Sequence, residues 1–241
     1  ALVVTADGMG DGLSLTVSSY TSQQQYERLW TATSRDSFGL FFEVLTEAFG
    51  FVPCRDEGKL TGLAAHGEPS HITIPRPFIF QDGRLAYTGP YGKQGVRWAK
   101  ENLLQKYSRE DIAAWAQDIL ESLVVETAKA WLQKTGHTKL AAAGGVFANV
   151  KLNQRLHELP EVESLFVCPN MGDGGLSLGA ICECGGMSSR SIEHVFLGDS
   201  FTDEEMRAAL ERAGLAAEPC DNIETYCARM IAEDKIVARF T

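Results

Sequence analysis

Two aspartates lie in glycine-rich segments where a chain could handle phosphate: Asp7 in Asp7-Gly8-Met9-Gly10-Asp11-Gly12, and Asp173 in Met171-Gly172-Asp173-Gly174-Gly175. Glycines let the backbone approach a phosphate without Cβ clashes, and a carboxylate at such a point can hold a divalent metal or position a water. The first segment also reads as a plain Asp-Gly hairpin turn. Asp173 precedes a helix of small residues, so it also reads as an N-cap. An N-cap does not need three flanking glycines, which favours a site.

Two further segments have chemical potential. Ala143-Gly144-Gly145-Val146-Phe147-Ala148-Asn149 follows a strand of small residues and enters a helix. Paired glycines there present free N–H groups and the helix dipole to an anion or nucleotide, and Asn149 could bond a ribose or base. Close helix–strand packing is the competing explanation. In Glu57-Gly58-Lys59-Leu60-Thr61-Gly62, Lys59 could meet a phosphate or acidic substrate. From chemistry alone, a solvated lysine on a short helix is the favoured explanation. Cys182 and Cys184 point to different helix faces, and His71, His137, His157 and His194 lack a metal-spaced partner. The P-loop and G-x-S-x-G patterns are absent.

These segments need strands that end together. Leu2–Ala6 and Leu13–Ser19 read as a hairpin, Glu27–Thr33 as a third strand, and Ser37 caps a helix to about Phe49, stopped by Gly50. Asp82-Gly83 makes a second hairpin, expected to be an exposed insertion. Ser108 with Asp111 has capping-box form and opens a helix to Lys134. Strands at Lys139–Ala143 and Ser164–Val167 then alternate with helices at Phe147–Leu159, Gly174–Cys184, Asp203–Ala213 and Ile223–Glu233, before a last strand at Lys235–Phe240. This alternation predicts an α/β fold with its ligands at strand ends.

Bulk properties narrow the classes. Net charge is −10 with no lysine-arginine cluster, which argues against nucleic acid as a partner. No apolar run suits a membrane helix, and six cysteines without a disulfide pattern suggest a reduced, cytoplasmic protein. The chain has no initiator Met, and both ends fall inside strand-like runs, so a fragment of a larger protein is expected.

Taken in order, Thr5–Asp11, Glu57–Gly67, Gly144–Asn149 and Gly172–Ala180 resemble the O-carbamoyltransferase family of nodulation proteins and antibiotic carbamoyltransferases. The resemblance spans about residues 2 to 240. It implies the actin-like, sugar-kinase-like ATPase fold of ribonuclease H-like lobes, truncated at both ends. Residues 1–107 would be the remainder of a first lobe with the hairpin insertion, and 108–241 a nucleotide-binding second lobe. By the same resemblance, ATP and carbamoyl phosphate form a carbamoyl adenylate, and the carbamoyl group passes to a hydroxyl of a small-molecule acceptor. A divalent, iron-like metal would assist. Asp7 and Asp173 take the catalytic and metal positions. Gly8, Gly10, Gly144, Gly145, Val146, Asn149, Gly172 and Gly174 take the nucleotide positions, and Lys59 and Gly62 the substrate positions.

The chain lacks the family's upstream H-x-x-x-H, its downstream F-G-P-R-A-L segment and its C-terminal YrdC-like domain, and His66 replaces a frequent Tyr. The expectation is a fragment inactive on its own. A sugar kinase, a tRNA threonylcarbamoyl transferase-like enzyme, or a non-catalytic ATP-binding module are the alternatives on this fold.

Overall fold

The computed structural model describes residues 1–21, 25–184, 195 and 198–238. One five-stranded sheet joins β1 (Leu2–Gly10), β2 (Leu13–Tyr20) and β3 (Tyr26–Thr33) to β6 (Lys139–Ala143) and β7 (Ser164–Val167). A separate hairpin pairs β4 (Phe78–Gln81) with β5 (Arg84–Tyr87). The helices are α1 (Phe38–Ala48), α2 (Glu57–Ala64), α3 (Gly92–Asn102), α4 (Arg109–Thr135), α5 (Val150–His157), α6 (Leu176–Glu183), α7 (Asp203–Arg212) and α8 (Ile223–Ala232). No helix among the described residues is long and apolar enough to cross a membrane.

The sheet order is β3-β2-β1-β6-β7, with β2 antiparallel to both its neighbours and β1, β6 and β7 parallel. That arrangement is a ribonuclease H-like lobe, the unit of the actin-like ATPase fold. Along β1, Leu2, Val4 and Ala6 are buried in strict alternation. The alternation stops at Ala6, where the pairing with β2 slips between Ala6 and Gly10. Asp7-Gly8-Met9 is thus a bulge, which re-aims side chains at a strand end. The reversal itself is made by Asp11 and Gly12, at φ 51° and 78°, as a two-residue hairpin turn requires. The hairpin stands as expected, but Gly8 and Gly10 belong to its strand.

Ser37 starts α1 and fixes it to that bulge. Its hydroxyl accepts from Leu40 N–H at 3.1 Å and donates to the Gly8 carbonyl at 2.7 Å. A Cβ on Gly39 would sit 2.6 Å from Gly8 Cα, so the first turn of α1 lies directly on the β1 backbone. The long α4 buries Ile112, Trp115, Ile119, Leu123 and Leu132 as the spine of the core. Ser108 caps it through Asp111 N–H at 3.0 Å. The Asp111 carboxylate turns away instead, accepting from Glu68 N–H at 2.8 Å and meeting His71 Nδ1 at 3.1 Å. The reciprocal half of the capping box is not made.

Several expectations need correction. The β4–β5 hairpin is not an exposed insertion: Phe78 and Leu85 are buried, the Phe78 ring stacks on Phe38 at 4.8 Å, and Trp131 Nε1–H donates to Gly83 O at 2.9 Å. Across residue 107, β1 pairs directly with β6. The compact units are Ala1–Arg190 and Ser191–Thr241. In the second, Thr202 and Glu205 form a full capping box on α7, and Asn222 caps α8. Residues 235–238 form no strand, and 239–241, like His194, lie outside the described residues. Helix α3 had no counterpart in the sequence reading, and the helix expected from Phe147 is broken at Asn149 into a 3₁₀ turn and α5.

Asp56, just ahead of α2, is a buried carboxylate with a stability role. It accepts from Val52 N–H at 3.0 Å and pairs with Lys59 at 3.0 Å and Arg55 at 3.3 Å. The Val52 N–H, then Arg55 and Lys59, hold its carboxyl well below the usual carboxylate range. A depressed native pKa stabilises the fold above the unfolded value, and that stabilisation is lost as pH falls through the native one. Asp56→Asn should therefore lower the urea midpoint at pH 6, and its deficit against the parent should shrink at about pH 3. A deficit independent of pH would contradict the assignment.

Candidate functional site

A cleft of about 760 Å³ opens where β1, β6 and β7 end. Seven of the expected site residues line it: Asp7, Gly8, Gly145, Val146, Asn149, Gly172 and Asp173. Both aspartates thus reach one cavity from opposite ends of the first compact unit's sequence. Gly10, Gly144, Gly174, Lys59 and Gly62 are not in its lining.

Each aspartate is placed by its own local geometry. Asp7 leaves β1 at the bulge, where its Oδ1 accepts from Gly8 N–H at 2.6 Å. A Cβ on Gly145 would lie 3.3 Å from that same oxygen, so the glycine loop and the carboxylate are immediate neighbours. Asp173 begins a 3₁₀ turn whose cap is Gly172, and it caps neither that turn nor α6. The N-cap alternative is therefore not realised. Gly174 and Gly175 have a packing reason instead: a Cβ on either would lie 2.5 Å or 2.4 Å from Asn170 atoms.

The paired glycines divide their labour. Gly144 is at φ 104°, its Cβ position falls 2.1 Å from Ala6 O, and its N–H donates to Met171 O at 2.7 Å. It serves strand packing and has no N–H left for an anion. Gly145 faces the cleft. Asn149 is committed as well. Its Oδ1 accepts from Leu152 N–H at 3.1 Å and from Gln117 Nε2–H at 3.0 Å, while its Nδ2–H donates to Gln117 Oε1 at 2.8 Å. One Nδ2 hydrogen is left for a ligand. The amide pair fastens α5 to α4.

Helix α2 gives the opposite wall, and its period sorts the third motif. Glu57, Gly58 and Thr61 face the cleft, whereas Lys59 and Gly62 fall on the other side. Lys59 pairs with Asp56 and lies 5.2 Å from the Phe51 ring centroid. Lys59→Met should accordingly change nucleotide affinity by less than about twofold, with a small loss of thermal stability. Titration with a fluorescent ATP analogue checks this, and a large affinity loss would place Lys59 at the ligand.

Other lining residues went unread in the sequence. Gly39 gives α1 its contact with the bulge, and Glu43 and Glu57 bring further carboxylates. Burial, then Glu57 and Glu47, push the Glu43 carboxyl up, and Glu43 in turn leads in raising the Cys54 thiol. Glu43 and Glu47 recur at i,i+4 in a helix with no basic residue. That pattern was the available signal.

The lining holds four carboxylates (Asp7, Glu43, Glu57, Asp173) and no Lys, Arg or His among the described residues. An anionic ligand must therefore rely on backbone N–H groups or bring its own cation. The expected iron-like metal is not matched by the donors present. Among the described residues no three His, Cys, Asp or Glu side chains are placed to share an ion. Two carboxylates fit instead a hydrated cation carried on a substrate's phosphates.

The carbamoyltransferase N-terminus family matches residues 1–82 and 90–182. The uncharacterized protein MJ1051 of Methanocaldococcus jannaschii is 30% identical over 88% of this chain and 42% of its own length. Nodulation protein NolNO of Sinorhizobium fredii is 28% identical over 98% of this chain and 37% of its own. A probable bifunctional tRNA threonylcarbamoyladenosine biosynthesis protein of Methanosarcina mazei is 31% identical over 47% of this chain and 20% of its own. The chain spans about two fifths of the length of the first of these relatives. With its family match covering both glycine loops and both aspartates of the cleft, this chain belongs to the carbamoyltransferase family.

Proposed function

We propose that this cleft takes ATP with its divalent cation together with carbamoyl phosphate, and serves carbamoyl transfer to a hydroxyl acceptor. The observation that carries the reading is the convergence of Asp7, Gly145 and Asp173 on one cavity at the strand ends. In the proposed sequence, water hydrolyses carbamoyl phosphate to carbamate and phosphate, and a carbamate oxygen then bonds to the α-phosphorus of ATP as pyrophosphate leaves. The acceptor oxygen then attacks the carbamoyl carbon, AMP departs, and the hydroxyl proton passes to a base. Asp7 and Asp173 hold the cation side of the nucleotide. The backbone at Gly8, Gly145 and Gly172 comes close to its phosphates, and Val146 with the free Asn149 hydrogen meets the nucleoside. The name of the Methanosarcina relative carries a carbamoyl-type group too, which supports this class over phosphotransfer to a sugar.

Pyrophosphate release tests it, measured with ATP and carbamoyl phosphate on the longest polypeptide that the gene encodes. Release that depends on carbamoyl phosphate is expected. ADP formation without it would replace the reading with a kinase. The 241-residue chain is expected to bind ATP without turnover, since among the described residues four carboxylates and no cationic side chain line its cleft. Turnover by it alone would overturn that expectation.

A further inference from the structure

Gln117 is a buried amide in the mostly apolar spine of α4, 7% exposed and set between the buried Trp115 and Ile119. An amide in a core is costly unless its hydrogen-bonding groups are met. Here both N–H groups and the oxygen are engaged. Nε2 donates to Glu121 Oε1 at 2.8 Å and to Asn149 Oδ1 at 3.0 Å, and Oε1 accepts from Asn149 Nδ2 at 2.8 Å. We infer that Gln117 is a positioning residue: it holds the Asn149 amide so that the cleft is offered an N–H and no side-chain oxygen. The inference rests on the nucleotide reading above and specifies what the ligand presents there, an atom that accepts a hydrogen bond.

The polarity of the pair is fixed at both ends by groups that act in one sense only. An ionised carboxylate only accepts, so Glu121 requires the Gln117 nitrogen on its side. A backbone N–H only donates, so Leu152, whose N–H reaches Asn149 Oδ1 at 3.1 Å, requires the Asn149 oxygen there. Between them the two amides fit in one orientation. Reversing Asn149 would set its oxygen against Gln117 Oε1, and its nitrogen against both Gln117 Nε2 and Leu152 N–H. Glu121 is itself held, with its Oε2 3.9 Å from Arg155 Nε of α5. The second Nδ2 hydrogen of Asn149 is what remains for the cleft.

Other bonds place the backbone at this junction. Asn149 N–H donates to Val146 O at 3.2 Å, Asn149 O accepts from Asn153 N–H at 3.1 Å, and Asn153 Nδ2–H donates to Phe147 O at 2.7 Å. The amide pair therefore acts on the Asn149 side chain more than on the turn. That matters because, among the described residues, Asn149 supplies the only side-chain N–H in a lining with four carboxylates. A rotated amide would add one more oxygen to that surface and repel a phosphate.

The 241-residue chain is the test protein, and magnesium-ATP is the probe. Gln117→Met, near in volume and without a donor, should weaken binding about fivefold. Gln117→Glu, equal in shape, puts an acceptor where Asn149 Oδ1 needs a donor and should do the same. Asn149→Ser, which keeps a helix cap, should weaken binding comparably. The double variant Gln117→Met/Asn149→Ser should bind no worse than Asn149→Ser, because Gln117 acts through that amide. A merely structural role would make the two losses multiply. Without nucleotide, NMR relaxation should report a rigid Asn149 Nδ2 group in the parent and a more mobile one in Gln117→Met. Circular dichroism shows that each variant is folded. Multiplying losses, parent affinity in both Gln117 variants, or an Asn149 amide equally rigid without Gln117 would overturn the inference. If the parent bound no magnesium-ATP, the nucleotide reading would fall, and the Asn149 relaxation alone would decide for or against the pair.

Discussion

Gly144→Ala is expected to cost about 3 kcal/mol or more of folding stability, enough to unfold a marginal domain. Gly144 stands at φ 104°, outside the range of L residues, and its Cβ would fall 2.1 Å from Ala6 O and 2.7 Å from Ala6 C. Those atoms are backbone, and they cannot rotate away. They belong to β1, whose Thr5 is paired with Ala143 of β6, so relief requires breaking the central parallel ladder. The bond from Gly144 N–H to Met171 O would be strained by the same shift, and with it the segment that carries Asp173. Gly145→Ala is the control. Its neighbour is Asp7 Oδ1 at 3.3 Å, a carboxylate oxygen able to turn, so its cost should stay below about 1 kcal/mol while the cleft loses room. Urea denaturation followed by circular dichroism separates the two. Equal midpoints would mean that the strand approach at Gly144 is not as close as described.

How much of this was legible in the sequence depends on how local its cause is. The Ser37 cap, the Gly50 stop, the Asp82-Gly83 turn and all five sheet strands follow from residues within a few positions of each other, and these stand. The bulge at Asp7-Gly8-Met9 does not, because it is defined by register against β2 rather than by its own residues. The pairing of β1 with β6 is equally hidden, because it joins residues about 140 positions apart, Leu2 with Leu140, and leaves no periodic trace. Helix α3 was hidden by Gly92 and Gly95, yet Gly95 is there because a Cβ would meet Pro90 O at 2.6 Å. In the site, glycine was a sound pointer to close approach and a poor guide to what approaches. At Gly145 it is the cleft, at Gly144 the Ala6 backbone, and at Gly174 an asparagine side chain.

On the proposed reading, Asn in place of Asp7 or Asp173 should lower carbamoyl transfer, assayed on the longest polypeptide that the gene encodes, about 10²- to 10³-fold with little change in stability. Asparagine keeps an oxygen for Gly8 N–H and nearly the same volume, so the fold loses neither a hydrogen bond nor packing at Asp7. What disappears is charge, and the direction of its effect is diagnostic. Among the described residues the cleft carries four carboxylates and no basic lining residue, so ATP without a divalent cation meets repulsion there. Removing one carboxylate should therefore tighten metal-free ATP and weaken the magnesium complex, while turnover falls. A role confined to shaping the cavity would move neither affinity and would leave turnover near the parent value. If both Asn variants instead bound metal-free ATP no better, the phosphates would lie away from the aspartates. The nucleotide would then have to enter from the α2 side, where Glu57 and Thr61 face the cleft.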